Sequence, residues 1–216
     1  MSTPDLLVVT AVAAEADAVR AGADPARIRV EPVGVGPGAA AAGAARLLAL
    51  AEAADTPYRA VLSAGIGGGF PGRAAVGATV LGVRAIAADL GAETADGFLP
   101  VEQLGFGTSA IVADETLVKA LAAVLPEAVP GDVLTLGTVT GTAATAAALA
   151  ARFPDAAAEA MEGYGVACAA AGAATPFAEL RAISNAVGPR DRQAWRIPEA
   201  LAALTRAARA LSGLPA

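Results

Sequence analysis

The sequence contains no histidine, one cysteine (Cys168) and one lysine (Lys119) in 216 residues. Without imidazole there is no serine–histidine triad, no HExxH zinc site and no histidine general base. A single thiol forms no internal disulfide, which fits a reducing cytoplasm. No metal and no cofactor are expected. Long apolar runs are missing too. None reaches the ~18–20 residues of a membrane span, and no charged-then-apolar leader opens the chain, so a protein away from membranes is expected. Positive charge is scarce: 15 Lys+Arg against 21 Asp+Glu leave a formal net charge of −6, which argues against a nucleic-acid partner. The hydrophobic fraction of 56% is inflated by 62 alanines, each covering little apolar area. Chemistry is left to carboxylates, amides, hydroxyls and backbone dipoles.

What is present is an alternation of short apolar strands and alanine-rich helices. Strands are expected at 5–10, 28–34, 59–64, 77–89 (with a bulge at Gly82), 132–139, 156–161 and 177–184. Helices are expected at 13–21, 38–54, 114–125, 142–152, 164–173 and 198–211, the last with Pro198 in its first turn. Strands separated by helices imply βαβ crossovers. The fold class is therefore α/β, a single domain over 1–216 with a central mixed, mostly parallel twisted sheet flanked by helices. Its glycine-rich junctions should gather at one sheet edge, where such folds bind ligands.

Two glycine clusters stand out. Gly34-Val35-Gly36-Pro37-Gly38-Ala39 satisfies G-x-G-x-x-A. It follows the second strand, however, and no acid ends the next strand to anchor a ribose, which counts against a dinucleotide site. A tight turn, or amides facing an anion or water, are the other readings. Gly65-Ile66-Gly67-Gly68-Gly69-Phe70 fits neither a phosphate loop nor a dinucleotide fingerprint. It reads as a ligand-facing loop or a structural turn, since without Cβ atoms the backbone comes close to a neighbour.

Among the acids, Glu15 is either a favourable first-turn charge or a functional carboxylate just past the first strand. Glu162, in Ala160-Met161-Glu162-Gly163, has small neighbours that let a ligand approach. Ser184 and Asn185 end an apolar strand and lead into Gly188-Pro189-Arg190-Asp191-Arg192, a plausible site in this fold class.

Taken together, Ala14-Glu15, the Gly34-Val35-Gly36 turn, the second glycine cluster, Ala160-Met161-Glu162 and Arg181-Ala182-Ile183-Ser184-Asn185 resemble the nucleoside phosphorylase superfamily. The general match is to its branch of methylthioadenosine/S-adenosylhomocysteine nucleosidases. Within the superfamily, the loops at 65–70 and 184–192 are most similar to the futalosine hydrolase family, which releases hypoxanthine from futalosine in the alternative menaquinone route. The resemblance covers nearly the whole chain.

The resemblance implies a hydrolase of N-glycosidic bonds. By it, Glu15 activates the attacking water, Glu162 grips the ribose hydroxyls, Met161 packs under the sugar, and Val139 and Thr140 lie along the base. Gly67 belongs to the substrate-facing cluster. Asn185 stands where the nucleosidases carry the aspartate that helps protonate the purine, and Ile66 stands where they commonly carry a serine. An amide donates to O6 or N7 of hypoxanthine without a proton transfer, so the exchange suits a 6-oxopurine. The other reading of Asn185 is a strand-end turn cap. Asp191 and water remain alternatives as proton source. A substrate with a carboxyphenyl tail needs an apolar slot ending in a cation: Arg73, Arg190 and Arg192 are candidates for the cation, and Phe70, Phe98 and Phe106 for the slot. Trp195 reads as a packing anchor. The alternatives are a 6-oxopurine nucleoside phosphorylase, an adenosine-type nucleosidase, and a non-catalytic nucleotide-binding module. By the same resemblance the chain forms a homo-oligomer, a dimer or larger, in which the 95–104 loop reaches a neighbour's pocket.

Overall fold

In the computed structural model, which describes residues 5–95 and 97–214, strands and helices alternate much as expected. In chain order these are β1 (Leu6–Thr10), α1 (Ala13–Arg20), β2 (Ile28–Pro32), α2 (Pro37–Ala53), β3 (Ala60–Gly69), β4 (Thr79–Ala87), β5 (Gly91–Thr94), β6 (Gly97–Pro100) and β7 (Ala110–Val112). There follow α3 (Glu115–Val124), β8 (Val129–Thr135), α4 (Ala143–Arg152), β9 (Ala156–Ala160), α5 (Gly163–Gly172), β10 (Phe177–Ala186), a 3₁₀ turn (Arg192–Ala194) and α6 (Ile197–Leu211).

The five residues of β1 (LLVVT) are all buried, because the strand pairs in parallel with β2 on one side and β3 on the other and is covered on both faces. One face carries Leu6, Val8, Leu62 and Leu180 beneath α1 and α6; the other carries Leu7, Val9 and Val61 beneath α2 and α5. Alanine is what lets these helices sit close. Ala40, Ala44, Leu48 and Ala51 form the buried stripe of α2, which packs against the small residues of α5.

The main sheet has eight strands, in the order β10, β4, β8, β9, β3, β1, β2, with β7 paired to β4. A further pairing of β10 with β3 closes β3, β10, β4, β8 and β9 into a ring, from which β1 and β2 extend. Five of the eight pairings (β1 with β2, β1 with β3, β10 with β3, β4 with β8, β8 with β9) are parallel. Mixed and mostly parallel is thus the observed character.

Three expectations are corrected. The glycine cluster after β3 is neither a turn nor a loop: β3 runs on through Gly69, its glycines in register with Arg181 to Ala186 of β10. The 91–112 stretch, left without elements, holds the separate hairpin β5–β6 and the edge strand β7; position 96 of the 95–104 loop lies outside the described residues. The strand expected at 132–139 begins and ends earlier, at Val129–Thr135. Beyond Thr135 the backbone leaves the sheet, and the Gly137 N–H is taken by Asp89 at 2.7 Å. The bulge expected at Gly82 is present, as a register shift between Gly82 and Arg84.

Leu204 of α6 is buried in the cluster formed with α1 and the sheet. Truncation there removes packing that α6 cannot recover by collapse. Leu204→Ala should lower stability by about 2–5 kcal/mol in urea unfolding. A loss below about 1 kcal/mol would mean that α6 is only loosely docked.

Candidate active site

A cavity of about 310 Å³ opens where β1, β3, β9 and β10 end. Three acids line it: Glu15 from the start of α1, Glu159 from β9, and Glu162 at the junction of β9 and α5. All three are buried.

Glu15 is the third residue of α1, and its side chain turns back over the helix start. One carboxylate oxygen accepts from Ala11 N at 3.0 Å and Val12 N at 3.3 Å; the other accepts from Ile66 N of β3 at 2.9 Å. The two readings of this residue are therefore compatible: it satisfies orphan donors at a helix N-terminus and also faces the cavity. Gly65 makes room for it. A Cβ there would lie 2.8 Å from Glu15 Oε1 and 2.7 Å from Arg181 Nη1.

Glu162 is held more loosely. It accepts from Gly36 N, Met161 N and Arg181 Nη1, each at 3.3 Å, at the long end for hydrogen bonds. The Gly34–Gly36 turn is thus a carboxylate-holding turn, with positive φ at both glycines.

Beneath the acids lies a buried arginine. Arg181 donates from Nε to Glu179 Oε1 at 2.9 Å, from Nη1 to Glu162, and from Nη2 to Ser63 Oγ at 2.9 Å. Burial alone would lower its pKa; the carboxylates of Glu179, Glu162 and Glu15 outweigh that and raise it, so the guanidinium stays charged. Glu179 is fully buried and, among the described residues, its second oxygen has no partner. Burial pushes its carboxyl up to about 6, against the opposing pull of Arg181. Sequence reading assigned no role to Arg181, Glu179 or Ser63. The available signal was Glu179-Leu180-Arg181 inside an apolar strand, since residues two apart share a face.

Asn185 is half-buried at the end of β10. Its Oδ1 accepts from the buried Ser184 hydroxyl at 2.8 Å and its Nδ2 donates to Ala186 O at 3.1 Å. One amide N–H is left for a ligand. Gly67, Val139, Thr140, Met161 and Arg190 also line the cavity, so these five, Glu15, Glu162 and Asn185 are brought together as expected.

Asp191 and Phe98 are not. Asp191 is exposed and caps the 3₁₀ turn by accepting from Gln193 N at 3.0 Å. Phe98 sits on the β5–β6 hairpin under the Arg152 guanidinium, 4.2 Å from the ring centre. Of the other candidates, Arg73 pairs with Asp155 outside the cavity, Phe70 is core, and Phe106 is 80% exposed. Trp195, read as a packing anchor, lines the cavity instead, with Arg190 5.7 Å from its ring centre. Glu159 went unnoticed in the sequence, as one acid in an alanine run.

Comparison with known proteins identifies the family. The model of the phosphorylase superfamily matches residues 19–214. The futalosine hydrolase of Streptomyces coelicolor is 54% identical, covering 94% of this chain and 92% of its own; that of Acidothermus cellulolyticus is 46% identical, covering 95% and 89%. Among solved structures, the 5′-methylthioadenosine/S-adenosylhomocysteine nucleosidase of Neisseria meningitidis, in complex with methylthio-immucillin-A, superposes with a TM-score of 0.81 at 20% identity over 97% of this chain and 99% of that one. The chain belongs to the phosphorylase superfamily and, within it, to the futalosine hydrolase family.

The raised carboxyl of Glu179 has a consequence for stability. A group whose pKa is higher folded than unfolded stabilises the fold below its unfolded value, here 4.5, and that contribution is lost as pH rises through about 6. The loss is about 2 kcal/mol. Urea unfolding at pH 4.5 and pH 7 should show a fall between the two that is smaller by about this amount in Glu179→Gln. Parallel pH profiles would show that Glu179 keeps an ordinary carboxylate pKa.

Proposed function

We propose that the cavity hydrolyses the N-glycosidic bond of futalosine, releasing hypoxanthine. The observation that carries this is the meeting of Glu15 and Glu162, 147 residues apart in sequence, on one cavity that also holds the Asn185 amide. Breaking the bond builds positive charge on the ribose and negative charge on the leaving purine. Glu162 accepts from the 2′- and 3′-hydroxyls and favours the developing sugar cation. Its three long contacts leave it capacity to do so. Glu15, fixed by three backbone N–H groups, takes a proton from the water that attacks the anomeric carbon. The C–N bond breaks as the C–O bond forms, and the free N–H of Asn185 steadies the departing base at O6 or N7. Asp191 already accepts from Gln193 N outside the cavity, which supports water as the source of the proton that the base finally acquires.

Hydrolysis is favoured over phosphorolysis by the state of the cations. Arg181 is committed to Glu179, Glu162 and Ser63, which leaves Arg190 at the rim as the cation facing the cavity among the described residues. A phosphate dianion beside Glu15 and Glu162 would be repelled. Arg190, beside Trp195, is our candidate for the carboxylate at the far end of the substrate. The exposed apolar residues Phe106 and Val112 support a homo-oligomer, with the β5–β6 hairpin and the loop after it as the contact we favour. The single cysteine fits a cytoplasmic enzyme.

Glu15→Gln keeps shape and loses basicity. Turnover of futalosine should fall ~10²-fold or more while binding persists; a nearly unchanged rate would retire Glu15 as the base.

Asn185 generates a second expectation. Against a 6-amino purine the amide must rotate or leave a donor facing a donor, so futalosine should be preferred over its 6-amino analogue by at least about tenfold in kcat/KM. Asn185→Asp should narrow or reverse that ratio. Equal losses on the two substrates would reduce Asn185 to a loop-shaping residue.

A further inference from the structure

Glu159 is a buried carboxylate at the cavity that the mechanism above leaves without a task. Thr140 donates to both of its oxygens, from the backbone N at 2.7 Å and from Oγ1. Among the described residues no cation pairs with it. A carboxylate offers about four acceptor sites, so two remain, on a side chain that lines the cavity.

Its place in the sheet is specific. Gly68 of β3 is in register with Asn185 of β10 on one side and with Glu159 of β9 on the other. Residues directly opposite each other on paired strands present their side chains on the same face. Asn185, Gly68 and Glu159 therefore form one row across three strands, spanning two strand spacings, ~10 Å. The middle of the row carries no side chain: a Cβ on Gly68 would stand 3.0 Å from Val187 Cγ2 and 3.3 Å from Asn185 Nδ2. The row sets a donor and an acceptor on either side of Gly68, and all three residues line the cavity. Thr140, which the resemblance sets along the base, orients the acceptor.

A 6-oxopurine shows an acceptor at O6 next to a donor at N1–H. A 6-aminopurine shows the reverse, a donor at the amino group and an acceptor at N1. We infer that Glu159 is a specificity-determining residue that accepts the N1–H of a 6-oxopurine while Asn185 donates to O6 or N7. Against a 6-aminopurine both partners are mismatched, and the carboxylate faces the N1 lone pair. This inference rests on the purine-nucleoside reading of the cavity and adds to it the group that reads the base.

The test begins with wild-type protein and futalosine. Absence of hypoxanthine release would sink the nucleosidase reading and this inference with it. With release established, calorimetry compares hypoxanthine with 1-methylhypoxanthine, which lacks the N1–H. The wild type should bind hypoxanthine at least about tenfold more tightly. Glu159→Gln, which keeps the size and, with the Thr140 hydroxyl turned to accept from the new amide, both Thr140 contacts, should weaken hypoxanthine about tenfold and change 1-methylhypoxanthine less than about twofold. Equal binding of the two bases by the wild type, which needs no variant, would overturn the role of Glu159 while leaving the nucleosidase reading intact. So would equal losses of both bases in Glu159→Gln, the signature of a residue that only positions Thr140.

Discussion

A single guanidinium, buried under the cavity, is the interaction on which the arrangement of the site depends. Arg181 binds a carboxylate on its own strand, one at the start of α5, and a hydroxyl on β3. It thereby fixes the relative positions of β10, β3 and the β9–α5 junction. A buried ion pair is weak evidence of net stabilisation, because desolvating both charges offsets the attraction. Its value here is positional. Breaking it would leave Glu179, already short of one partner, as an uncompensated charge in the core.

The site divides its work between two kinds of structure. The acids proposed for the water and the ribose sit where strands hand over to helices, so backbone amides freed at those junctions are available to hold them. The row proposed for the base lies within the closed ring of strands, where the pairing of β3 with β10 and β9 sets which residues stand opposite each other. Tightness of contact follows the same division. Glu15 is pinned by bonds of 2.9–3.3 Å, whereas all three contacts of Glu162 are 3.3 Å. A group that aims one water molecule needs a fixed direction; a group that follows a ribose as it flattens needs slack.

Much of this was legible in the sequence, for identifiable reasons. The strands β1 and β10 are apolar runs bounded by turn residues, and α6 carries its proline in the first turn, so pattern alone locates them. Glu15, Glu162 and Asn185 stand out because each lies at or just past the end of an apolar stretch, while the roles expected of them came from the family resemblance. Glycine misled. Four glycines in five positions look like a loop, yet β3 continues through them because Arg181, Glu15 and Asn185 occupy the space that side chains would need. Sheet closure is long-range pairing of β10 with β3 and has no local signature. The roles of Glu159 and Glu179 escaped for the same reason: a lone acid among alanines acquires meaning only from a strand that is distant in sequence.

The closure of the ring also decides where the sheet is open. Strands within the ring have neighbours on both sides, and the outer edges among the described residues fall to the short β7 and to β2. An open edge is a template for uncontrolled pairing with another chain. On β2, Arg29 is exposed and pairs with Glu31 at 2.9 Å, Arg20 reaches across from α1 to the Val30 carbonyl at 2.7 Å, and Pro32 ends the strand without an N–H to offer. One edge carbonyl is thereby occupied, one donor is missing, and both signs of charge stand along the strand. These are the devices by which an open edge is made a poor template for a second strand.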